Sequence, residues 1–435
     1  MSNQYVSWRG PDGRPSKKVE HAPVALLAKC GEEIKLTPEN NAQWSMTSGV
    51  GRGFVIFRGS AVVVDAVGRE INEADAWDIV RGGIVDAVRE SGGGKPLDQA
   101  RVLHFANLKA VEMFKRERKN YLLISSLSIK TFPVKKMRHD GCVIRSLTSR
   151  KKFPIPDLVK LQRGTPFVER QTASKYQLVS VSVSARTMHE AYSRATRTLD
   201  LLRGVWTVFV DYSPNPFSLL STKSQKAGII HSGPLQTLHN PDGTLAFGDV
   251  YWYDPLYFQD YDLLELRDGW AKVDRNRRNM FRRLKRSPMK SDVEDVFVRY
   301  AIALDQTDFD VSFLHLWGIL EKVTDSVGRY DETIKRAAWP FRGRDIIREY
   351  LECARQRRNS YVHSFRSSQE TEPLLHILKA VLDRILMRLV RDDFNSGSFE
   401  EFGRLCALGT NLKHLKKERK RYDTAVRFLT RNPEP

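Results

Sequence analysis

The hydrophobic periodicity of this chain changes near Tyr257, and this change constrains the fold more than any other sequence feature. Before it, strand-like runs alternate with amphipathic helices; Gln177 to Ala185, for example, alternates apolar residues with serines. Beyond it the strand signals disappear, and four segments carry apolar residues at helical spacing. These segments are 291–306, 310–326, 344–357 and 370–393. The sequence therefore predicts an α+β protein, with a mixed α/β N-terminal region and an all-helical C-terminal bundle.

Local signals predict individual elements within this frame. β-branched runs and helix stop signals predict strands over 54–57, 61–64 and 121–129, and helices over 73–90 and 101–119. Thr187 and Glu190 have the spacing of a capping box, in which each side chain bonds to the backbone near the other. Asp310 is the predicted N-cap of the helix that begins there.

Composition and periodicity together divide the chain into five parts. They are an irregular segment at 1–50, a mixed α/β sensor or regulatory domain at 51–265, a basic connector at 266–290, a helical bundle at 291–395 and a basic helical extension at 396–435.

The charge of the chain favours a polyanionic partner. Seventy-one Lys and Arg residues against 52 Asp and Glu residues give a net charge of +19. Nucleic acid is the first candidate and an anionic membrane surface the second. Basic runs at 275–286 and 413–421 interleave cations with apolar residues and predict an RNA-tracking surface. The predicted RNA contacts in the first run are Arg277, Arg278, Arg282 and Arg283.

Several classes of protein do not fit this sequence. No apolar run reaches the ~18 residues that cross a bilayer, and the first residues lack the apolar core of a signal peptide, so we expect a cytoplasmic protein without a membrane partner. The four cysteines lie far apart and form neither a disulfide framework nor a zinc knuckle. Asp157 could open a metal-dependent nuclease motif, but no acid-x-Lys partner follows it. We therefore expect no metal and no cofactor.

The sequence RNSYVH at 358–363 pairs an arginine with a histidine across four intervening residues. With 44 arginines and 10 histidines in the chain, about three pairs at such spacings are expected by chance. Spacing alone therefore decides nothing, and the context of the pair carries the argument.

That context is specific. Asn359 directly follows the arginine, and an upstream helix carries Glu321 beside Trp317. Together these features of 291–395 resemble HEPN domains, whose signature is an arginine, a polar residue that is often Asn, and a histidine after four to six positions. The run 313–321 is similar to the second helix of the Apea-like HEPN group of bacterial defence proteins. The resemblance implies a metal-independent endoribonuclease acting as a toxin or abortive-infection effector in antiviral defence.

The residue types suit this chemistry independently of the family. Cleavage through the 2′-hydroxyl needs a proton acceptor, a proton donor and cationic stabilisation of the phosphorane. His363 can take either proton role, Arg358 can bind phosphate oxygens, and Asn359 can hold the arginine or the phosphate. Glu321 and Tyr361 are candidates for supporting the site, and Arg357 for an additional RNA contact.

The predicted partners follow from the same resemblance. They are RNA, a second copy of the chain bound through 291–395, and a phage-derived trigger or inhibitor sensed by the N-terminal domain. Two alternatives stay open. The chain could be a non-catalytic RNA-binding or scaffold protein whose bundle mediates dimerisation, or a metal nuclease built in the N-terminal domain.

Overall fold

The computed structural model describes most of the chain beyond residue 60. The described residues are 5–9, 15–16, 27–28, 30, 32, 34–36, 42–43, 61–92, 95–155, 175–211, 228–248, 251–253, 263–266, 269–364, 371–391 and 394–431. The predicted strand at 54–57, most of the segment 1–50 and Asp157 lie outside these ranges.

Strands occur only before residue 254 in the described ranges, and helices dominate after it, which confirms the α+β class. The predicted C-terminal bundle is also present. None of the helices in the described ranges is both long enough and apolar enough to cross a bilayer.

A first hydrophobic core joins a small antiparallel sheet to two helices. Trp8 and Val6 from the sheet pack with Ile84 and Val88 of the first helix and Ala106 of the second. The sheet has the strand order β2-β1-β5, and a separate two-stranded sheet pairs β3 with β4. The elements are β1 (Val6–Arg9), β2 (Pro15–Ser16), β3 (Lys35–Leu36), β4 (Ala42–Gln43), β5 (Ala61–Val63), α1 (Glu73–Ser91) and α2 (Gln99–Lys115).

A second, six-stranded sheet has the order β11-β10-β6-β9-β8-β7, and its paired strands are antiparallel. The helix α3 (Met188–Asp211) packs against it. Thr187 Oγ1 accepts the Glu190 amide at 2.9 Å, while Glu190 Oε2 accepts the Arg186 amide at 2.8 Å, so the capping box closes one residue earlier than its standard form. The strands are β6 (Lys119–Leu127), β7 (Lys136–His139), β8 (Cys142–Ser146), β9 (Gln177–Ala185), β10 (Leu235–His239) and β11 (Tyr251–Tyr253).

The helix α3 belongs to two cores. One face, with Leu202 and Trp206, packs in the core of the six-stranded sheet, and another, with Val205 and Val208, packs in the core of the helical bundle. Gly204 allows the contact with the bundle, because a Cβ there would lie 2.3 Å from the backbone oxygen of Phe297. The mixed region and the bundle therefore share one continuous structure.

A buried ion pair reinforces this junction. Arg203 on α3 donates to both carboxylate oxygens of Asp305 at 2.8 and 2.7 Å, and both side chains are almost fully buried. The cationic guanidinium lowers the pKa of Asp305 against the opposing effect of burial, which is the larger single influence. Removing Arg203 would leave the buried Asp305 carboxylate without its guanidinium partner, whereas Arg203 also pairs with Asp200 at 2.6 Å.

The bundle is built around large apolar side chains from several helices. Phe297, Phe313, Trp317 and Leu378 are all nearly inaccessible to solvent. The helices are α4 (Trp270–Leu284), α5 (Lys290–Leu304), α6 (Phe309–Val323), α7 (Tyr330–Ala338), α8 (Arg344–Ser364), α9 (Thr371–Arg391), α10 (Phe399–Cys406) and α11 (Leu412–Arg431).

The segment 266–290 is not a bare linker. It contains α4, whose Trp270 and Val273 are buried in the core of the six-stranded sheet, while Met280 and Leu284 are buried in the bundle. Most of its cations therefore lie on the exposed face of an amphipathic helix that joins two cores, and Arg277 is buried on the other face.

The N-cap of α6 is Asp308 and not Asp310, so that prediction is wrong. Asp308 Oδ1 accepts the amides of Asp310 and Val311 at 2.8 and 3.3 Å. The side chain of Asp310 is instead buried and bonded to Arg357 of α8. Both acids have capping chemistry, and the tertiary contact decides which of them caps the helix.

Candidate active site

The RNSYVH sequence lies within α8, in its last two turns, and not between two helices. The helix continues through Ser364, seven residues beyond the predicted end at Arg357. Five residues along an α-helix correspond to a rotation of about 140° and a rise of about 7.5 Å. The backbone positions of Arg358 and His363 are therefore on different sides of α8.

Arg358 is held against an aromatic ring. Its guanidinium carbon lies 4.9 Å from the centroid of the Tyr330 ring, at the start of α7, and the side chain is half-buried. Tyr330 in turn packs edge-to-face on the buried Trp317, with 6.4 Å between the ring centroids. Such a cation–π contact fixes the plane of the guanidinium without neutralising its charge.

The only hydrogen bond that Arg358 makes with the described residues runs from Nη1 to Asn359 Oδ1, at 3.2 Å. No carboxylate pairs with it within those ranges. Most of its five N–H donors thus have no acceptor among the described residues and are available to an oxyanion.

Arg357, in contrast, is neutralised inside the protein. Its Nη2 donates to Asp310 Oδ1 and its Nε to Thr371 Oγ1, both at 2.6 Å, and only 7% of the residue is exposed. Thr371 also donates to the same Asp310 oxygen at 2.8 Å. Arg357 therefore ties α8 to the starts of α6 and α9, and we remove it from the predicted RNA contacts.

Asn359 bonds to the arginine and lies on the same side of α8 as the backbone position of the histidine. Its amide oxygen accepts the bond from Arg358, and His363 follows one helical turn later on the same side of α8. The structure describes the backbone of His363 within the helix and not its side chain. Arg358, Asn359 and His363 are thus brought to one end of one helix.

The two predicted supporting residues take different places. Glu321 is 9% exposed, and among the described residues it makes no hydrogen bond with Arg358; its Oε1 is buried without a partner there. Tyr361 is half-buried, and its ring centroid lies 5.9 Å from the guanidinium carbon of Arg357. Tyr361 therefore packs on the arginine that links α8 to α6 and α9, and Glu321 does not orient Arg358 directly.

The predicted RNA contacts on α4 divide into buried and exposed residues. Arg277 is 7% exposed and pairs with the buried Asp274 at 2.7 Å, so we remove it from the set as well. Arg278 also reaches Asp274, at 3.2 Å, but its side chain is 60% exposed. Arg282 and Arg283 are exposed and pair with no carboxylate among the described residues.

Sequence reasoning missed Tyr330, the ring under Arg358, and the bond between Asp310 and Arg357. Tyr330 lies 28 residues before Arg358 in a different helix. No periodicity links the two residues, and only the packing of α7 against α8 brings them together.

The described residues contain no group of three or more His, Cys, Asp and Glu side chains that could hold a metal ion. Comparison of the chain with known proteins found no matching family model, no similar curated protein and no similar solved structure.

Proposed function

We propose that this protein is a metal-independent endoribonuclease with Arg358, His363 and Asn359 at its catalytic centre. One observation carries the proposal: three arginines within four residues of α8 have three different environments. Arg355 pairs with Glu352 and Arg357 pairs with Asp310, whereas Arg358 is stacked on Tyr330 without an acid partner among the described residues. A fixed, uncompensated guanidinium is what binding of a phosphorane requires.

In the proposed reaction the 2′-oxygen of RNA attacks the adjacent phosphorus while a base removes its proton. The bond from phosphorus to the 5′-oxygen breaks, and that oxygen takes a proton from an acid. The products are a 2′,3′-cyclic phosphate and a 5′-hydroxyl end. His363 serves as the base or the acid, and Arg358 stabilises the negative charge that develops on the phosphorane oxygens.

Each chain supplies one His363, whereas in-line displacement uses a base and an acid on opposite sides of the phosphorus. We propose that two bundles pair about a twofold axis, so that a shared cleft contains two histidines and two arginines. The HEPN resemblance supports such a homodimer. It also supports a cytoplasmic role in prokaryotic defence, in which the N-terminal region senses a phage-derived trigger or inhibitor.

The test is cleavage of end-labelled RNA by purified protein in EDTA. We expect 2′,3′-cyclic phosphate ends and no cutting at a nucleotide whose 2′-hydroxyl is replaced by hydrogen. Arg358→Ala and His363→Ala should each reduce the rate by about 100-fold or more. Arg355→Ala removes a paired cation from the same helix and is the matched control, with cleavage expected to be unchanged.

A non-catalytic RNA-binding or scaffold protein is the second candidate. The exposed basic helix α11 favours this second candidate. It offers cations that can bind RNA, and it contains none of the proposed catalytic residues. RNA that is bound but stays intact, with the trigger supplied, would support this candidate. Cleavage that EDTA abolishes would instead favour a metal nuclease.

A further inference from the structure

A cleft of about 420 Å³ opens where α4, α9 and the segment 395–397 meet. Arg283 and Arg286 line it from the end of α4, and Arg391 lines it from the end of α9. Ser287 and Ser396 add hydroxyl groups, Asn395 adds an amide, and apolar side chains that include Leu389 form much of the remaining wall. The cleft thus combines cations, small donors and an apolar surface.

The three arginines that line the cleft carry charges that no acid within the described ranges compensates. Among the described residues none of the three pairs with a carboxylate; Asp392 and Asp393, which follow in the sequence, lie outside those ranges. Arg283 Nη1 donates to the carbonyl oxygen of Arg391 at 3.2 Å, and this bond uses one of its five donors. Like charges gathered at one cleft repel each other unless an anion binds between them.

We infer that this cleft binds the phosphate of a nucleotide unit, with the guanidinium groups and serine hydroxyls on the phosphate oxygens. The paired N–H donors of a guanidinium match the spacing of two phosphate oxygens, and the apolar wall can pack against the ribose and the base. The volume falls within the range of about 300–1,000 Å³ that is typical of small-ligand sites. Free nucleotides and the nucleotides of RNA share this chemistry.

The cleft is separate from the proposed active site. Thr371, which bonds to Arg357, begins α9, whereas Arg391, which lines the cleft, ends it. Twenty residues of helix separate their Cα atoms by about 30 Å. The inference therefore does not depend on ribonuclease activity.

The experiment measures binding of three probes to the full chain: inorganic phosphate, AMP, and a 2′-O-methyl hexanucleotide that cannot be cleaved through its 2′-oxygen. The test variant is Arg283→Gln with Arg286→Gln. Its control is Lys95→Gln with Lys272→Gln, which removes the same charge from exposed positions outside the cleft and outside the predicted RNA contacts. We expect the test variant to weaken binding at least about tenfold and the control to change it less than about twofold.

A second variant, Ser287→Asp, checks the site without removing an arginine. Ser287 Oγ accepts the amide of Met289 at 3.1 Å, and an aspartate can accept the same bond while it adds a negative charge to the cleft. Binding should again fall about tenfold or more. If binding of AMP and phosphate falls in both variants, the cleft binds the phosphate of a free nucleotide. If only binding of the hexanucleotide falls, the cleft binds a phosphate of RNA. Equal weakening by the test and control variants, or no binding of any probe by the wild-type chain, would overturn the inference.

Discussion

At the residue scale, neighbouring arginines of α8 have opposite roles. Arg357 is buried and holds three helices together, while most donors of Arg358 have no acceptor in the part of the chain that the structure describes. Because a helix turns by about 100° per residue, adjacent positions meet different surroundings even though the residue type is the same. In the proposed mechanism, stability and chemistry would therefore depend on separate residues within a single turn.

The two arginines should differ in their effect on the free energy of unfolding. Arg357→Met should leave the Asp310 carboxylate buried without its cation and reduce the free energy of unfolding by about 3–5 kcal/mol. Arg358→Met, the matched control, should change it by less than about 1 kcal/mol. Urea unfolding of the three proteins provides the comparison. A second change, Asp310→Asn, should restore part of the stability, because it removes the buried charge; equal stability of both single variants would contradict the assigned role of Arg357.

A second residue-scale prediction concerns pH. Burial lowers the pKa of His239 from 6.5 to about 4, and the nearby charge of Arg150 acts in the same direction. Between these values the unfolded chain binds a proton that the folded chain does not, so stability is full above pH 6.5 and falls as the pH decreases towards 4. At about 1.36 kcal/mol per pKa unit the full decrease is about 3.4 kcal/mol, of which about 2 kcal/mol falls between pH 6.5 and about pH 5.

Urea unfolding at about pH 7.5 and about pH 5 measures this decrease. His239→Gln should remove most of the difference between the two pH values, whereas His104→Gln, at an exposed position, should leave it intact. If the pH dependence of His239→Gln equalled that of the wild type, another group would be responsible.

At the element scale, α11 differs from every other described helix because almost all of it is exposed. Tyr422 and Val426 are 69% and 62% exposed, and Lys417 and Lys420 lie on the opposite side of the helix. A helix that buries so little contributes little to the stability of the fold. Its charge nevertheless adds to the attraction between the chain and a polyanion.

We expect Lys416→Gln, Lys417→Gln and Lys420→Gln together to weaken RNA binding without a shift in melting temperature. Each phosphate that the variant no longer neutralises should reduce the slope of log K against log salt by about 0.7. The control, Tyr422→Ser with Val426→Ser, keeps the charge and should keep the slope. Filter binding at several salt concentrations measures both, and an unchanged slope in the lysine variant would show that α11 does not touch RNA.

The sequence predicts elements far better than the contacts between them. Apolar periodicity predicts 177–185 as a strand and 73–90 as a helix, and both are confirmed to within a residue. It misses the last turns of α8 because Asn359 and Ser360 are poor helix formers, and the tie from Arg357 to Asp310 is a long-range contact. The sequence context of RNSYVH likewise predicts Arg358 as a site residue, but only the fold shows that its guanidinium lies on the ring of Tyr330.

At the scale of the whole molecule, the proposed shared cleft makes activity depend on both copies. If each cut needs two intact histidines, wild-type protein mixed equally with His363→Ala and allowed to exchange should keep about a quarter of its activity, because only a quarter of the dimers are wild type throughout. If each chain cut RNA independently, the mixture would keep about half of the wild-type activity. Initial cleavage rates measure the difference, with Arg355→Ala as the mixing partner in the control, and full activity of a demonstrated monomer would rule out the shared cleft.

The double packing of α3 has a consequence for how this chain can be divided. A domain that can be moved between proteins by recombination folds on its own, because its hydrophobic core is built from its own residues. Here Val205 and Val208 complete the bundle from a helix that lies far upstream of α5 in the sequence. A fragment cut to 291–395 would open an apolar face where α3 had been and would aggregate unless a substitute helix covered it. The smallest transplantable unit of this protein therefore includes both its helical bundle and the helix that the bundle shares with the sheet.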